Sequence, residues 1–249
     1  MDRNESAPAI VVRSARQGER DRMLTLLSPV WGLRRTLVYG AQKSRKAVKA
    51  SLYMEAVFHV YNNRERGLVS LVDLDVIATH EGVLSSLEAS FAASLMAEIV
   101  IAEKGEGPLG WYRLLTDCLD ALEGFDYRAV ASQFILRALA LAGHGSDFRT
   151  CPVCGAAYGE SEIVGFSGQI LAPCCQKCDS EGMSLILPPN ARRYLADSLD
   201  VPLPRALSFR ISPLMLTRIL GYLVRLYSAE SGALLRSADS LIGLAEGAL

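Results

Sequence analysis

The sequence predicts an α+β multidomain chain, with a small barrel of five short strands followed by a helical domain into which a cysteine module is set. Three observations carry this reading. Strand-like alternation fills the first 80 residues, apolar spacing turns helical beyond about residue 83, and two C-x2-C pairs lie between residues 151 and 178. The expected domains are residues 1–80 for the barrel and 81–249 for the helices, interrupted by the cysteine module at about 149–182.

Five runs read as strands: Ile10–Arg13, Met23–Leu27, Thr36–Tyr39, Met54–Tyr61 and Leu68–Val76. The last alternates most cleanly, with Val72, Leu74 and Val76 on one face and Asp73 and Asp75 on the other. Gly18, Gly32, Gly40, Asn62-Asn63 and Gly67 punctuate these runs as turns. Five short strands in so few residues suit a barrel of the OB type, because closure removes exposed sheet edges.

Beyond the barrel, Leu84, Leu87, Phe91, Leu95 and Ile99 recur at helical spacing until Gly105-Glu106-Gly107-Pro108 interrupts them. Trp111, Leu114, Leu115, Cys118 and Leu122 make the next stripe, and Val130, Phe134, Ala138 and Leu141 a third, ended by Gly143. Pro188-Pro189 opens a short helix over Asn190–Leu199. Ser212-Pro213 is a capping hydroxyl followed by proline at the first helical position, and Ile219, Leu220, Leu223 and Leu226 continue that helix's buried face. A last amphipathic segment spans Ala233–Ala245.

Cys151-Pro-Val-Cys154-Gly155 and Cys175-Gln-Lys-Cys178 are two knuckles separated by 20 residues. Two residues between thiols let both sulfurs reach one ion, and two such pairs complete the tetrahedral four-thiolate sphere of structural zinc. The intervening loop has too little apolar material to fold unaided, so metal ligation substitutes for a core. Cys174 stands next to Cys175 and is an alternative ligand, although a Cys174/Cys178 pair has the less usual spacing. Cys118 lies on an apolar stripe and reads as a core thiol.

Charge is unevenly placed. The net charge is −1, yet residues 1–79 hold 13 Lys and Arg against 8 Asp and Glu. Arg34, Arg35, Lys43, Arg45, Lys46 and Lys49 fall within sixteen residues that contain no acid. Loops of this kind beside a strand face form a groove for a phosphate backbone, which points to nucleic-acid binding that is salt-sensitive and weakly sequence-specific. Trp31, Tyr39, Tyr53 and Phe58 offer stacking surfaces, although at least two of them are expected to fill the barrel.

Enzymatic signatures are lacking. There is no G-x-x-x-x-G-K-[ST] loop, H-E-x-x-H helix or G-x-S-x-G elbow, and His59, His80 and His144 are scattered. A closed four-thiolate sphere offers no open position for substrate. The chain therefore reads as a binding protein with no catalytic residues; a zinc-ribbon interaction scaffold that does not touch nucleic acid is the alternative. Met1–Ala7 carries no secretory signal pattern, and the apolar run Phe91–Ala102 is interrupted by Glu98 and too short to cross a bilayer, so a cytoplasmic location is expected.

Val11–Ser14 with Gly18–Leu27, Trp31-Gly32-Leu33 through Arg45, and Phe134–Gly143 leading into Cys151–Gly155 together resemble the RecO family of bacterial DNA repair and recombination mediators. Val11-Val12-Arg13-Ser14 with Gly18-Glu19-Arg20-Asp21-Arg22-Met23-Leu24-Thr25-Leu26-Leu27 is similar to the family's opening strand pair. Trp31-Gly32-Leu33 through Gly40-Ala41-Gln42-Lys43-Ser44-Arg45 resembles its next strand and basic loop. Phe134–Gly143 leading into Cys151-Pro-Val-Cys154-Gly155, then Phe166 and Gly168, resembles the approach to its zinc finger. The resemblance implies an OB barrel and embedded zinc finger, and a non-catalytic role in the response to DNA damage. It further implies binding of single- and double-stranded DNA and annealing of complementary strands. The implied partners are RecR, single-stranded DNA-binding protein and, indirectly, RecA, in a nucleoid-associated cytoplasmic setting. The family's adjacent glycines are replaced by Gly168-Gln169, and Ala172-Pro173-Cys174 lengthens the approach to Cys175.

Overall fold

The structure, a computed structural model, describes residues 3–42, 49–63, 65–167, 172–178 and 184–247. Five strands close a barrel: β1 (Asn4–Gln17), β2 (Asp21–Ser28), β3 (Gly32–Val38), β4 (Glu55–Asn63) and β5 (Leu68–Ala78). Their order is β1-β2-β3-β5-β4, and β1 completes the circle by pairing antiparallel with both β4 and β2. Its first half runs along β4 (Asn4↔Tyr61 to Ile10↔Glu55), and its second half runs along β2. This is the predicted OB-type barrel. Ala9, Val11, Leu24, Leu26, Val38, Ala56, Phe58, Val60 and Leu71 fill it.

The predicted face of β5 is corrected by a bulge. Val60 pairs with Leu71 but His59 pairs with Asp73, leaving Val72 as the extra residue. Leu71 and Leu74 therefore turn toward the core, while Val72 and Val76 are each more than half exposed. β5 meets β3 only near Leu37↔Ser70, so its second half has β4 alone as a described neighbour.

The helix read as continuous from residue 83 is two, α1 (Glu81–Ser85) and α2 (Leu87–Ala102), because Ser86 is extended. The buried face of α2 is Ala92, Ala93, Leu95, Met96, Ile99 and Val100, whereas Leu84 and Leu87 are exposed. α3 (Pro108–Ala121) lies against β1, β2 and β3. Gly105 permits the close approach before it: at φ +65, its missing Cβ would sit 3.2 Å from the Leu33 side chain. His80 ties α3 to the barrel, with Nδ1 2.8 Å from the Tyr53 carbonyl and Nε2 3.0 Å from Asp120.

The chain divides into two compact units, residues 1–87 with 97–123, and residues 88–96 with 124–249. The second unit centres on α4 (Tyr127–Leu141), which is buried on nearly every side by α5 (Pro189–Leu199), α6 (Leu203–Leu207) and α7 (Pro213–Ser231). The Asp126 carboxylate caps α4 by accepting from Arg128 N, and the Ser212 hydroxyl caps α7 by accepting from Met215 N. α8 (Arg236–Gly247) packs on α7. Between α4 and α5 the chain makes a three-stranded sheet, β7-β6-β8, from β6 (Val164–Ser167), β7 (Ala172–Cys174) and β8 (Ser184–Leu187). No helix among the described residues is long and apolar enough to cross a membrane.

Candidate metal centre and nucleic-acid surface

The first knuckle is a tight hairpin. Gly155 N donates to the Cys151 carbonyl at 2.8 Å, Cys151 N donates to the Ala156 carbonyl at 2.9 Å, and Gly155 takes φ 69. The second turns by Cys178 N donating to the Cys175 carbonyl at 3.0 Å. The sulfurs of Cys151, Cys154, Cys175 and Cys178 come together within 4.8 Å of one another, with Cys154 and Cys175 3.8 Å apart. This set can hold a metal ion. Cys174 is fully buried beside the cluster, at the end of β7, but its thiol is not one of the converging four.

Electrostatics within the cluster favour an added cation. Burial opposes ionisation of Cys151, but backbone N–H groups of Cys175, Cys154 and Val153 point at its sulfur and hold the thiol down at about 6. Cys178 is pushed up to about 12, chiefly by its hydrogen bonds with the Cys175 and Cys154 sulfurs. Cys151 thus ionises readily while Cys178 resists, and a bound cation would favour the thiolate of both.

Two arginines fasten this module to α5 in opposite directions. Arg192, on α5 and 5% exposed, donates to the carbonyls of Phe148 (3.0 Å) and Gly159 (2.9 Å), with its guanidinium 5.3 Å from the Tyr158 ring. Arg149 reaches back to Asp200 (2.6 Å) and to the Ala196 carbonyl (3.2 Å). Tyr158 OH donates to the Pro173 carbonyl at 3.1 Å, linking the first knuckle to the approach to the second.

The basic residues separate into different environments. Arg35 and Lys49 are exposed. Arg34 is engaged, donating to Glu5 at 2.6 Å and lying 4.6 Å over the Trp31 ring. Lys43, Arg45 and Lys46 lie outside the described residues. Of the aromatic candidates, Phe58 and Tyr53 are buried and Trp31 packs partly on the barrel core, while Tyr39 is 56% exposed.

Register adds residues that the linear pattern did not single out. Arg13 on β1 stands opposite Thr25 on β2, which stands opposite Arg35 on β3. Directly opposed residues share a sheet face, so Arg13, Thr25 and Arg35 form one transverse row outside the barrel, with both arginines exposed. Toward the β1–β2 turn, Arg16 stands opposite Arg22, also exposed. The alternation around Arg13 was readable as a strand, but the pairing that aligns it with Arg35 was not.

The histidines make local pairs. His59 lies 2.8 Å from Asp75 on the exposed β4–β5 surface, and His144 lies 3.2 Å from Glu230.

Residues 1–80 match the sequence model of the Recombination protein O N-terminal domain, and residues 84–239 match that of the Recombination protein O C-terminal domain. The chain belongs to the RecO family. It is 31% identical over 217 residues to the DNA repair protein RecO of Syntrophotalea carbinolica, covering 83% of this chain and 82% of that protein. It is 25% identical over 236 residues to the DNA repair protein RecO of Staphylococcus aureus strain N315, covering 92% of each. The DNA repair protein RecO of Bifidobacterium adolescentis is 31% identical over 154 residues, 59% of this chain and 62% of that protein.

Proposed function

We propose that this RecO-family chain is a cytoplasmic, nucleoid-associated mediator of DNA repair and homologous recombination that acts by binding rather than catalysis. It binds single- and double-stranded DNA through the barrel and anneals complementary strands. With RecR it helps RecA replace single-stranded DNA-binding protein. The observation that carries the reading is the Arg13–Thr25–Arg35 row on the outer β1–β2–β3 surface. OB barrels bind oligonucleotides across the face of their second and third strands and the adjoining loops. Cations there neutralise phosphates without reading base edges, which lowers repulsion between two approaching strands. Arg35 and Lys49 contribute from the set read in the sequence, as do Lys43, Arg45 and Lys46 by their place in the chain; Arg13 and Arg22 extend it.

The metal is zinc, with a structural role. Zn–S bonds of about 2.3 Å at tetrahedral angles set sulfurs about 3.8 Å apart, the separation found between Cys154 and Cys175. Cys151, Cys154, Cys175 and Cys178 would hold the ion, and the ion would join two knuckles that share little apolar core.

The test is fluorescence anisotropy with labelled single- and double-stranded oligonucleotides over a salt series, together with annealing of complementary strands. Binding that weakens steeply with salt, and falls in Arg13→Gln and Arg35→Gln, supports the reading. A zinc-loaded protein that retains no DNA at low salt and anneals nothing overturns it and leaves the protein-interaction scaffold.

A further inference from the structure

At the end of the barrel beside Lys49, a cavity of about 240 Å³ opens between the strands, Ala41 and residues Lys49, Ala50 and Ser51. Leu24 and Val38, both core residues, line it together with Ala41 and Ala50, and Arg22 and Lys49 stand at it as cations. Arg22 is fixed by donating to Ser14 Oγ at 3.1 Å. Across the strand pair, Arg16 directly opposes Arg22. Like charges placed opposite each other destabilise a sheet, so this end of the barrel carries repulsion that an anion would relieve. The site thus has an apolar floor and cationic walls. Its volume lies below the roughly 300–1,000 Å³ of drug-sized pockets, matching one flat ring system better than two.

We infer that this cavity receives one unpaired nucleotide of a bound single strand, with the base against Leu24 and Val38 and the neighbouring phosphate between Arg22 and Lys49. The inference rests on the DNA-binding reading above and deepens it. The outer row holds backbone, whereas the cavity distinguishes a strand with accessible bases from one whose bases are paired. A duplex cannot offer a base to it without unpairing. The protein would therefore hold single strands at two kinds of contact and duplex at one, and formation of a duplex would withdraw the base and favour release after annealing.

The experiment compares labelled oligothymidylate with the same strand made of abasic sugars, at fixed salt. The wild-type protein is expected to prefer the strand with bases about tenfold, the scale of one buried base contact. Ala50→Leu and Ala41→Leu fill the cavity from two directions and are expected to remove that preference while leaving abasic-strand affinity within about twofold. Circular dichroism identifies which of the two variants is folded. Arg22→Gln is expected to weaken both strands. Excess thymidine monophosphate is expected not to displace the strand; displacement overturns the strand-bound occupant in favour of a free nucleotide. A folded filling variant that keeps the wild-type preference overturns the cavity while leaving the outer row intact, as does a wild-type protein without any preference. Absence of salt-dependent binding to either strand overturns the DNA-binding reading and this inference together.

Discussion

Arg34 donates to Glu5 at 2.6 Å from inside a corner of the barrel, and Asn62 donates to the other oxygen of the same carboxylate at 2.8 Å. Arg34 and Glu5 are 19% and 25% exposed at their side chains, so this pair is largely withdrawn from water. Its neighbour Arg35 faces the opposite way, into solvent. Two adjacent arginines thus separate by strand alternation into a barrel-sealing residue and a surface cation.

Substitution should reveal the division. Arg34→Gln leaves the Glu5 carboxylate poorly compensated and is expected to cost about 1–3 kcal/mol in denaturant unfolding, with little change in the salt dependence of DNA binding. Arg35→Gln is expected to leave stability within about 0.5 kcal/mol. It should reduce the logarithmic salt slope for single strands by about 0.7, the value for one lost phosphate contact. Equal effects of both variants on the slope would refute the assignment.

Ligand identity at the metal centre is settled by single substitutions. Cys154→Ser and Cys175→Ser are expected to abolish stoichiometric zinc retention, and Cys174→Ser to preserve it. Cobalt replacement gives a second reading: four thiolates produce strong sulfur-to-metal charge-transfer bands, which Cys174→Ser should retain unchanged. Chelation of the metal should lower the thermal midpoint of the helical unit while sparing the barrel, because the cluster sits in residues 124–249.

What was legible in the sequence was chemistry fixed by local spacing. Two residues between cysteines define a knuckle wherever the chain goes, so four ligands could be named before any fold. Spacing favoured Cys175 and kept Cys174 as an alternative; geometry brings the Cys175 sulfur, not that of Cys174, into the converging set. The strands were readable from alternation, but their ends were not. Asn4–Ala9 looks unlike a strand, and its extension follows from unbroken pairing with β4. At Val72 the alternation was correct to read and misleading in outcome, because a bulge on β5 puts this residue outside while Leu74 keeps its inward face. The Arg13–Thr25–Arg35 row was invisible for a related reason: the offset between strands is set by turns and core packing, not by the residues that end up aligned.

The α4 cap carries a defined pH dependence. Burial would raise the Asp126 carboxyl, but the Arg128 guanidinium, together with the backbone N–H groups of Arg128 and Ala129, holds it below the ordinary carboxylate range. Because the folded value is the lower one, its stabilisation is complete above the unfolded value of about 3.9 and fades as pH falls through the folded value. Asp126→Ala is expected to cost about 0.5–2 kcal/mol at neutral pH, with the deficit shrinking when unfolding is measured below about pH 4. A deficit independent of pH would show that the charge contributes nothing.

The Arg192 clamp should govern how firmly the cysteine module holds its ion. The guanidinium reaches the Phe148 and Gly159 carbonyls at once and packs over Tyr158, spanning both sides of the first knuckle. A lysine has one donor group and no planar fork, so it cannot serve both carbonyls while stacking. Arg192→Lys is therefore expected to leave the four ligands in place and zinc bound at one equivalent. Transfer of the ion to a colorimetric chelator should nevertheless quicken by roughly tenfold, the low end of the effect of removing supporting contacts around a metal site. Arg149→Lys, whose partners Asp197 and Asp200 are exposed, should change that rate far less. Equal rates in the Arg192 variant and the wild-type protein would show that the ion, not the clamp, is what holds the module in shape.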